Sequence, residues 1–269
     1  ANPSAAARLS VAAIRLPRIS NSTDVEALAC EPGVDVTWVA DQGSVRAADL
    51  VVLPGTRATL ADLRWLRERG LDAALGERAA RGAPILGICG GFQMLGRTIE
   101  DQGIEDRGVG NSGESAGSSA VPGLGLLDVD IRFESGKVLR RTGGTAAGQR
   151  ITGYEIHHGR VVRSAERAWL LDDETGPEGA VRGSVRGTHW HGLLASNEFR
   201  RRLLTQIAGE AGKPEFQVAP DTDVAAIRES QLDRIADLVS EHLDIDLLVR
   251  IVERGVDQDV PSIVHRLGR

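Results

Sequence analysis

Residues 84–96 read Pro-Ile-Leu-Gly-Ile-Cys-Gly-Gly-Phe-Gln-Met-Leu-Gly, and this stretch decides the fold. An apolar run of strand length ends at Cys89, and residues 92–95 fit the first turn of a helix. The flanking glycines let the backbone turn sharply and leave space around the sulfur. The pattern predicts a nucleophile elbow at a strand-to-helix junction, where the helix start favours thiolate over thiol. A buried structural cysteine in a glycine-rich turn is the alternative.

The composition of the 269-residue chain is that of an ordinary globular protein, with 26% charged and 41% apolar residues. The net charge of −6 argues against a nucleic-acid partner. Two cysteines, Cys30 and Cys89, make no disulfide framework, which favours a cytoplasmic location. No apolar run reaches membrane-spanning length, and arginines interrupt the first sixteen residues, so neither a membrane anchor nor a signal peptide is expected. The missing initiator Met suggests a trimmed chain or a C-terminal piece.

Strand and helix patterns alternate on the N-terminal side of the elbow. Apolar strand patterns occupy residues 9–14, 34–39 and 49–53, and helical periodicity runs over residues 58–81 with an interruption near Gly70. This alternation predicts an α/β fold with a parallel sheet covered on both faces. Active sites of such sheets lie at the carboxyl ends of the strands, so the Pro54-Gly55 turn and Cys89 should share one crevice.

The second half of the chain has a different pattern. Residues 107–125 are rich in glycine and serine, and predict a surface loop. Short β-type runs then predict an antiparallel extension of the sheet, and residues 198–208 predict a closing helix. Those runs cover residues 126–133, 137–140, 151–162, 169–171 and 180–185. Gly212-Lys-Pro predicts a boundary between a domain of residues 1–211 and a helical extension of residues 212–269.

A cysteine nucleophile needs an imidazole within hydrogen-bonding distance. Four histidines stand in two groups, His157 with His158 and His189 with His191. Residues two apart on a strand share a face, so His189 and His191 could point together and bind a metal with His157 or Glu155. The spacing matches no recognised metal motif, so no metal site is expected. An extended strand that brings one histidine to the cysteine is the favoured reading, and Gly192 would leave room for substrate.

An oxyanion formed by attack of the thiol needs two preorganised N–H donors. The N–H of Gly90 follows the nucleophile directly, and the turn at Gly55 and Thr56 ends a neighbouring strand. Both donors are therefore expected on the backbone. The alternative is that Pro54-Gly55 merely ends a strand.

Several segments together resemble the class I (triad) glutamine amidotransferases and, more narrowly, the glutaminase domains of the cobyric acid synthase family. That resemblance implies a flavodoxin-like three-layer α/β fold with C-terminal helices, and it extends from about residue 9 to residue 251. The matching segments are Arg15-Leu-Pro-Arg-Ile-Ser-Asn21 with Thr23-Asp24, Leu53-Pro-Gly-Thr-Arg-Ala-Thr59, the stretch around Cys89, Val121-Pro-Gly-Leu-Gly-Leu126, Gly153-Tyr-Glu-Ile-His-His-Gly159, Gly187-Thr-His-Trp-His-Gly-Leu193 and Arg228-Glu-Ser-Gln-Leu-Asp-Arg-Ile-Ala-Asp-Leu238.

The resemblance implies a role for each matching residue. Cys89 would attack the side-chain amide of glutamine, with His191 as general base and acid. Gly90 and the turn at Gly55 would hold the oxyanion, and Gln93 would orient the substrate. The ammonia would serve amidation of the b, d, e and g carboxylates of adenosylcobyrinic a,c-diamide in cobalamin synthesis. That step would use ATP and Mg²⁺ in an N-terminal synthetase domain, whereas the glutaminase domain itself would need no cofactor.

Two departures from the wider class are visible. Many class I amidotransferases have a glutamate two residues after the histidine, where this chain has Leu193. The third triad member is absent or supplied from elsewhere, with Glu155 as a candidate and His157 as a possible supporting residue. Its absence is typical of the narrower family. No Gly-x-x-x-x-Gly-Lys-Ser/Thr phosphate-binding loop occurs either, so the part that would activate the corrinoid is not in this chain.

Other functions compete with this interpretation. A hydrolase of the dienelactone type would use Cys89, an acid such as Asp172 and then His191. A different amidotransferase, acting on cobyrinic acid or a peptidoglycan precursor, would share the elbow. A non-catalytic docking module would keep the fold without the chemistry, although the presence of both Cys89 and His191 argues against it.

Overall fold

The computed structural model describes residues 8–101, 103–104 and 119–255. The chain divides into two compact units, of which the first ends at Val224 and the second begins at Ala225. Phe216 and Val224 are buried in the core of the first unit, although both follow Gly212 in the sequence. The domain boundary predicted at residue 212 stays a prediction.

The central sheet of the first unit is mostly parallel, which confirms the predicted fold class. Its strands are β1 (Leu9–Ile14), β3 (Val34–Val39), β4 (Leu50–Leu53), β6 (Ile85–Ile88), β13 (Ala180–Arg182) and β14 (Val185–Thr188). Their spatial order is β13-β14-β6-β4-β1-β3, and only the β13–β14 pair is antiparallel. The five parallel strands follow the flavodoxin-like order. Buried apolar residues fill most of β1, β4 and β6, as expected for strands covered on both faces.

The predicted antiparallel extension of the central sheet is confirmed at residues 180–185, where β13 pairs with β14. Most of the other later β runs form a separate second sheet. The second sheet consists of β7 (Thr98–Asp101), β8 (Ser119–Pro122), β9 (Val129–Ala146), β10 (Gln149–Ser164), β11 (Leu170–Asp172) and β12 (Gly176–Glu178). Its order is β12-β11-β9-β7-β8, with β10 paired to β9. A small separate pair joins β2 (Ile19–Asn21) to β5 (Gly55–Thr56).

In the second half of the chain, the predicted short strands and the predicted glycine- and serine-rich loop differ from the structure. The short predicted runs belong to the long strands β9 and β10, which continue through glycines that usually mark turns. Their connection at Ala147 and Gly148 has positive φ at both residues, as a tight hairpin requires. Within the predicted glycine- and serine-rich loop, residues 119–122 form strand β8, while residues 107–118 lie outside the described residues.

Helices cover both faces of the central sheet. Leu28 and Leu204 pack in one core cluster, and Leu63 and Leu75 pack in the other. The interruption predicted near Gly70 separates α3 from α4, since Gly70 has φ +66°. The helices of the first unit are α1 (Thr23–Ala29), α2 (Gln42–Ala47), α3 (Thr59–Glu68), α4 (Leu71–Ala80), α5 (Gly90–Leu95) and α6 (Asn197–Glu210).

The predicted helical tail is confirmed as two helices, α7 (Val224–His242) and α8 (Ile245–Arg254). Asp244 caps α8, because its carboxylate accepts a hydrogen bond of 2.8 Å from the N–H of Leu247. Among the described residues, none of the helices combines the length and the apolar character that crossing a bilayer requires.

Candidate active site

Cys89 occupies a strained turn between β6 and α5. Its backbone has φ 50° and ψ −110°, a conformation that residues other than glycine rarely adopt. The N–H of Cys89 donates a 2.8 Å hydrogen bond to the carbonyl of Thr188 at the end of the neighbouring β14. Backbone strain of this kind at the end of a strand is the mark of a nucleophile elbow.

The glycines around Cys89 are required by close backbone packing. A methyl group on Gly87 would lie 2.6 Å from the Leu95 side chain and 2.8 Å from the backbone of Phe92. On Gly91 the same group would overlap the carbonyl group of Leu53 in β4. The glycines therefore allow α5 to start directly against the ends of the strands.

His191 reaches the same edge of the sheet from β14. Strand β14 runs parallel to β6, so both strands end beside each other, and His191 stands three residues after the end of β14. Tyr154 and His191 exchange two backbone hydrogen bonds of 2.9 and 3.0 Å. Their rings are stacked with centroids 5.3 Å apart. The His191 side chain is thereby held in place and almost fully buried.

Asp24 of α1 anchors the backbone that follows His191. Its carboxylate accepts hydrogen bonds from the N–H of Gly192 at 2.8 Å and of Leu194 at 3.2 Å. Gly192 has φ +76°, so the left-handed backbone explains the glycine better than the predicted room for substrate. No local sequence pattern predicts a role for Asp24. It was named only as part of the Thr23-Asp24 segment that resembles the family.

Replacing Asp24 by Ala is expected to lower both stability and activity. The change leaves the buried N–H of Leu194 and the part-buried N–H of Gly192 without their acceptor, and a buried donor without a partner costs about 1–3 kcal/mol. Urea unfolding and glutamine hydrolysis, measured side by side, check this expectation. Glu26→Ala in the same helix is the control at a more exposed position. An Asp24→Ala variant as stable as the control contradicts the anchoring role.

One cavity of about 570 Å³ brings several predicted residues together. Cys89, His191, Gln93 and His157 all lie in its wall. Gly55 lies against it, since a methyl group there would be 2.6 Å from Cε1 of His191. The Gln93 amide is held at both ends, by the Thr59 hydroxyl at 3.3 Å and the carbonyl of Gly159 at 3.4 Å.

Burial disfavours the charged forms of both the thiol and the imidazole. Burial raises the pKa of Cys89 to about 12, although a hydrogen bond from the Gly90 backbone acts in the opposite direction. Burial, with smaller effects of His157 and His189, lowers the pKa of His191 to about 4. The expectation that the helix start would favour thiolate is therefore wrong for this structure, because desolvation of the sulfur outweighs it.

Comparison with known proteins identifies the family. Residues 10–199 match the CobB/CobQ-like glutamine amidotransferase domain. The chain belongs to this family. The match confirms the predicted family and enzyme class, and it covers all the residues that line the cavity.

Two relatives agree with membership of the CobB/CobQ-like family, and a solved structure agrees with the fold. A protein of Mycolicibacterium paratuberculosis named cobyric acid synthase is 56% identical over 97% of this chain and 48% of its own length. A cobyric acid synthase of Rhodococcus jostii is 51% identical over 96% of the chain and 48% of its own length. The chain thus spans about half the length of these curated relatives. A crystal structure of a glutamine amidotransferase has the same fold, with a TM-score of 0.53 at 17% identity over 75% of this chain and 98% of that one.

His189 and His191, which could have pointed together on a strand, line different cavities in this CobB/CobQ-like domain. His191 lines the cavity with Cys89, whereas His189 lines a second cavity with Glu155. The expected alternation fails because β14 ends at Thr188, before both histidines. Within the described part of the chain, Nδ1 of His191 has no hydrogen-bond partner.

Glu155, the candidate for a third triad member, contacts other groups. Its Oε2 lies 2.7 Å from Nε of Arg140. Its Oε1 lies 3.5 Å from Nε2 of His157. Burial alone would raise the pKa of Glu155, but the contact with His157 and the charge of Arg140 lower it below its usual value. Its role as a triad member stays a prediction.

Proposed function

We propose that this domain hydrolyses glutamine with Cys89 as nucleophile and His191 as general base and acid. The observation that carries the proposal is the strained elbow, which presents the Cys89 thiol to a cavity that His191 also lines. The sulfur attacks the amide carbon of the substrate, and the thiol proton passes to the imidazole. That proton then goes to the leaving nitrogen, so ammonia departs and a γ-glutamyl thioester remains for water to hydrolyse.

The burial of both partners favours one order of events. Because burial raises the pKa of Cys89 and disfavours its thiolate, we propose that His191 takes the thiol proton while the carbon–sulfur bond forms. The low pKa of His191, about 4, keeps its imidazole free to accept that proton at neutral pH. The backbone N–H of Gly90 and the turn at Gly55 are proposed to stabilise the oxyanion. Gln93, held on both sides of its amide, is proposed to orient the substrate.

The relatives support a wider role. Both proteins are named cobyric acid synthase, and this chain matches about half of each. We infer that the ammonia serves a synthetase domain that uses ATP and Mg²⁺ to amidate the b, d, e and g carboxylates of adenosylcobyrinic a,c-diamide. The glutaminase domain itself needs no cofactor in this proposal. A cytoplasmic location is in keeping with Cys30 and Cys89 not being joined by a disulfide.

A chimeric enzyme tests the wider role. In the Mycolicibacterium paratuberculosis relative, the matching half is replaced by this chain, and mass spectrometry measures amidation of adenosylcobyrinic a,c-diamide with ATP and Mg²⁺. Glutamine is expected to support amidation by the chimera. With Cys89→Ala in the chimera, only an ammonium salt is expected to do so. The salt bypasses the glutaminase and is the internal control.

The outcomes separate the two parts of the proposal. A chimera that uses the ammonium salt but never glutamine contradicts the glutaminase role. A chimera that releases ammonia from glutamine and uses the ammonium salt, but couples glutamine to no corrinoid amidation, contradicts the proposed partnership and leaves the hydrolysis standing.

A further inference from the structure

A second cluster of ionisable side chains lies beside the thiol cavity. Glu155 and His157 come from strand β10, and His189 follows β14. All three are buried, and one potential ligand atom from each lies within 4.8 Å of the others. They line a separate cavity of about 520 Å³. Neither the elbow nor the proposed proton transfer accounts for this arrangement.

The hydrogen bond of His157 determines its tautomer. Its Nδ1 lies 2.7 Å from the carbonyl oxygen of Gly159, which can only accept, so the proton is on Nδ1. In the neutral imidazole, Nε2 therefore carries a lone pair. This atom is buried and has no hydrogen-bond partner among the described residues. Its nearest charged neighbour is Oε1 of Glu155 at 3.5 Å.

His189, like His157, has its Nδ1 next to a hydrogen-bond acceptor and its Nε2 turned away from it. Its Nδ1 lies 3.2 Å from Oε1 of Glu178, which also accepts the backbone N–H of His189 at 3.0 Å. The Nδ1 proton therefore points to Glu178, and Nε2 is left with a lone pair. This second Nε2 is also buried without a hydrogen-bond partner in the part of the chain that the structure describes.

Glu155 completes the set. Its Oε2 is held by Nε of Arg140 at 2.7 Å, while Oε1 faces His157. Each of the three side chains is thus anchored through its outer atom by a neighbouring group. The inner atoms that remain are two imidazole lone pairs and a carboxylate oxygen. Metal-binding histidines and carboxylates are held in this way, because the outer contact sets the tautomer and orientation of the ligand.

We propose that Glu155, His157 and His189 form a binding site for a divalent transition-metal ion of the Zn²⁺ class. Two neutral imidazoles and one carboxylate are a ligand set that zinc uses, and the adjoining cavity leaves a fourth position for water. Burying two unpaired lone pairs beside a carboxylate is unfavourable, and a cation relieves that cost. The proposal does not depend on the proposed glutamine hydrolysis, although His157 also lines the thiol cavity.

Binding of a metal ion at this site requires modest movements of the His157 and His189 imidazoles. Tetrahedral zinc with bonds near 2.1 Å places its ligand atoms about 3.4 Å apart. The potential ligand atoms here lie within 4.8 Å of one another, and the two imidazoles stack with centroids 4.2 Å apart at 18°. Nearly parallel rings do not aim at one point, so at least one must rotate on binding. The cavity beside them gives space for that rotation.

Titration of the chelator-treated chain with Co²⁺ and Zn²⁺ tests the proposal. One equivalent of metal is expected to bind, with the visible absorption of tetrahedral Co²⁺. His189→Ala and Glu155→Gln are expected to weaken binding by more than about 100-fold. Glu178→Gln, which alters the outer contact of His189 without removing a proposed ligand, is expected to weaken it by about 10- to 100-fold. Circular dichroism verifies that each variant is folded.

Two matched controls locate the ion. His158→Ala removes an adjacent histidine whose Nδ1 contacts the carbonyl of Glu134, and it is expected to bind metal like the parent chain. Cys89→Ser, which removes the neighbouring thiol, is also expected to bind normally. Absence of stoichiometric binding overturns the proposal. Binding that survives in folded His189→Ala but is lost in Cys89→Ser also overturns it, because the ion would then belong to the thiol cavity.

Discussion

Replacement of Cys89 by Ala is expected to reduce glutamine hydrolysis by about 10⁴-fold or more, the scale seen when a serine protease loses its nucleophile. The variant keeps the oxyanion donors and the substrate cavity but has no atom that can form the thioester. Alanine has the same backbone preferences as cysteine at the strained φ of 50°, so the elbow is expected to survive. The measurement is ammonia release from glutamine, with urea unfolding to verify the fold.

Cys30 provides the matched control, because it is the only other cysteine of the chain. Cys30→Ala is expected to retain activity, and a glutamine-analogue electrophile is expected to modify Cys89 and spare Cys30. Peptide mass spectrometry distinguishes the two sites without requiring turnover. Hydrolysis that persists in Cys89→Ala, or equal modification of both thiols, contradicts the nucleophile assignment.

The central sheet and the elbow could be predicted because their signals are local. A buried parallel strand is an apolar run, and the sharp turn at Cys89 needs glycines within a few residues. Parallel strands end at one edge of a sheet, so strand order alone predicted that the Pro54-Gly55 turn and Cys89 share a crevice. The parallel pairing that brings the segment with His191 beside Cys89 was not predicted.

Features that depend on distant contacts could not be predicted. The second sheet requires β7 to pair with residues of β9 about thirty positions later, and no local pattern encodes that register. The separation of His189 from His191 depends on where β14 ends. The raised pKa of Cys89 results from burial of the sulfur. The prediction that the start of a helix favours thiolate did not take this burial into account.

Replacement of Gly91 by Ala is expected to be the most destabilising single-methyl change at the elbow. The added carbon would lie 2.6 Å from the carbonyl carbon of Leu53, in the backbone of a central strand. The backbones of Gly91 and Leu53 cannot move without displacing α5 or β4. The expected loss of stability therefore lies at or above the upper end of the range for overpacking substitutions, about 3 kcal/mol. Unfolding in urea measures this loss of stability directly, and a failure of the variant to give soluble protein would agree with the prediction.

Gly76→Ala is the matched control, because Gly76 is also a helical glycine but has no atom within 4 Å of the position that its new methyl would occupy. Alanine favours helix over glycine by about 1 kcal/mol, so this variant is expected to be more stable than the parent chain. The same Gly→Ala change is thus expected to raise the free energy of unfolding at Gly76 and to lower it at Gly91. Similar effects at Gly76 and Gly91 would show that backbone packing against Leu53 is not what demands a glycine beside Cys89.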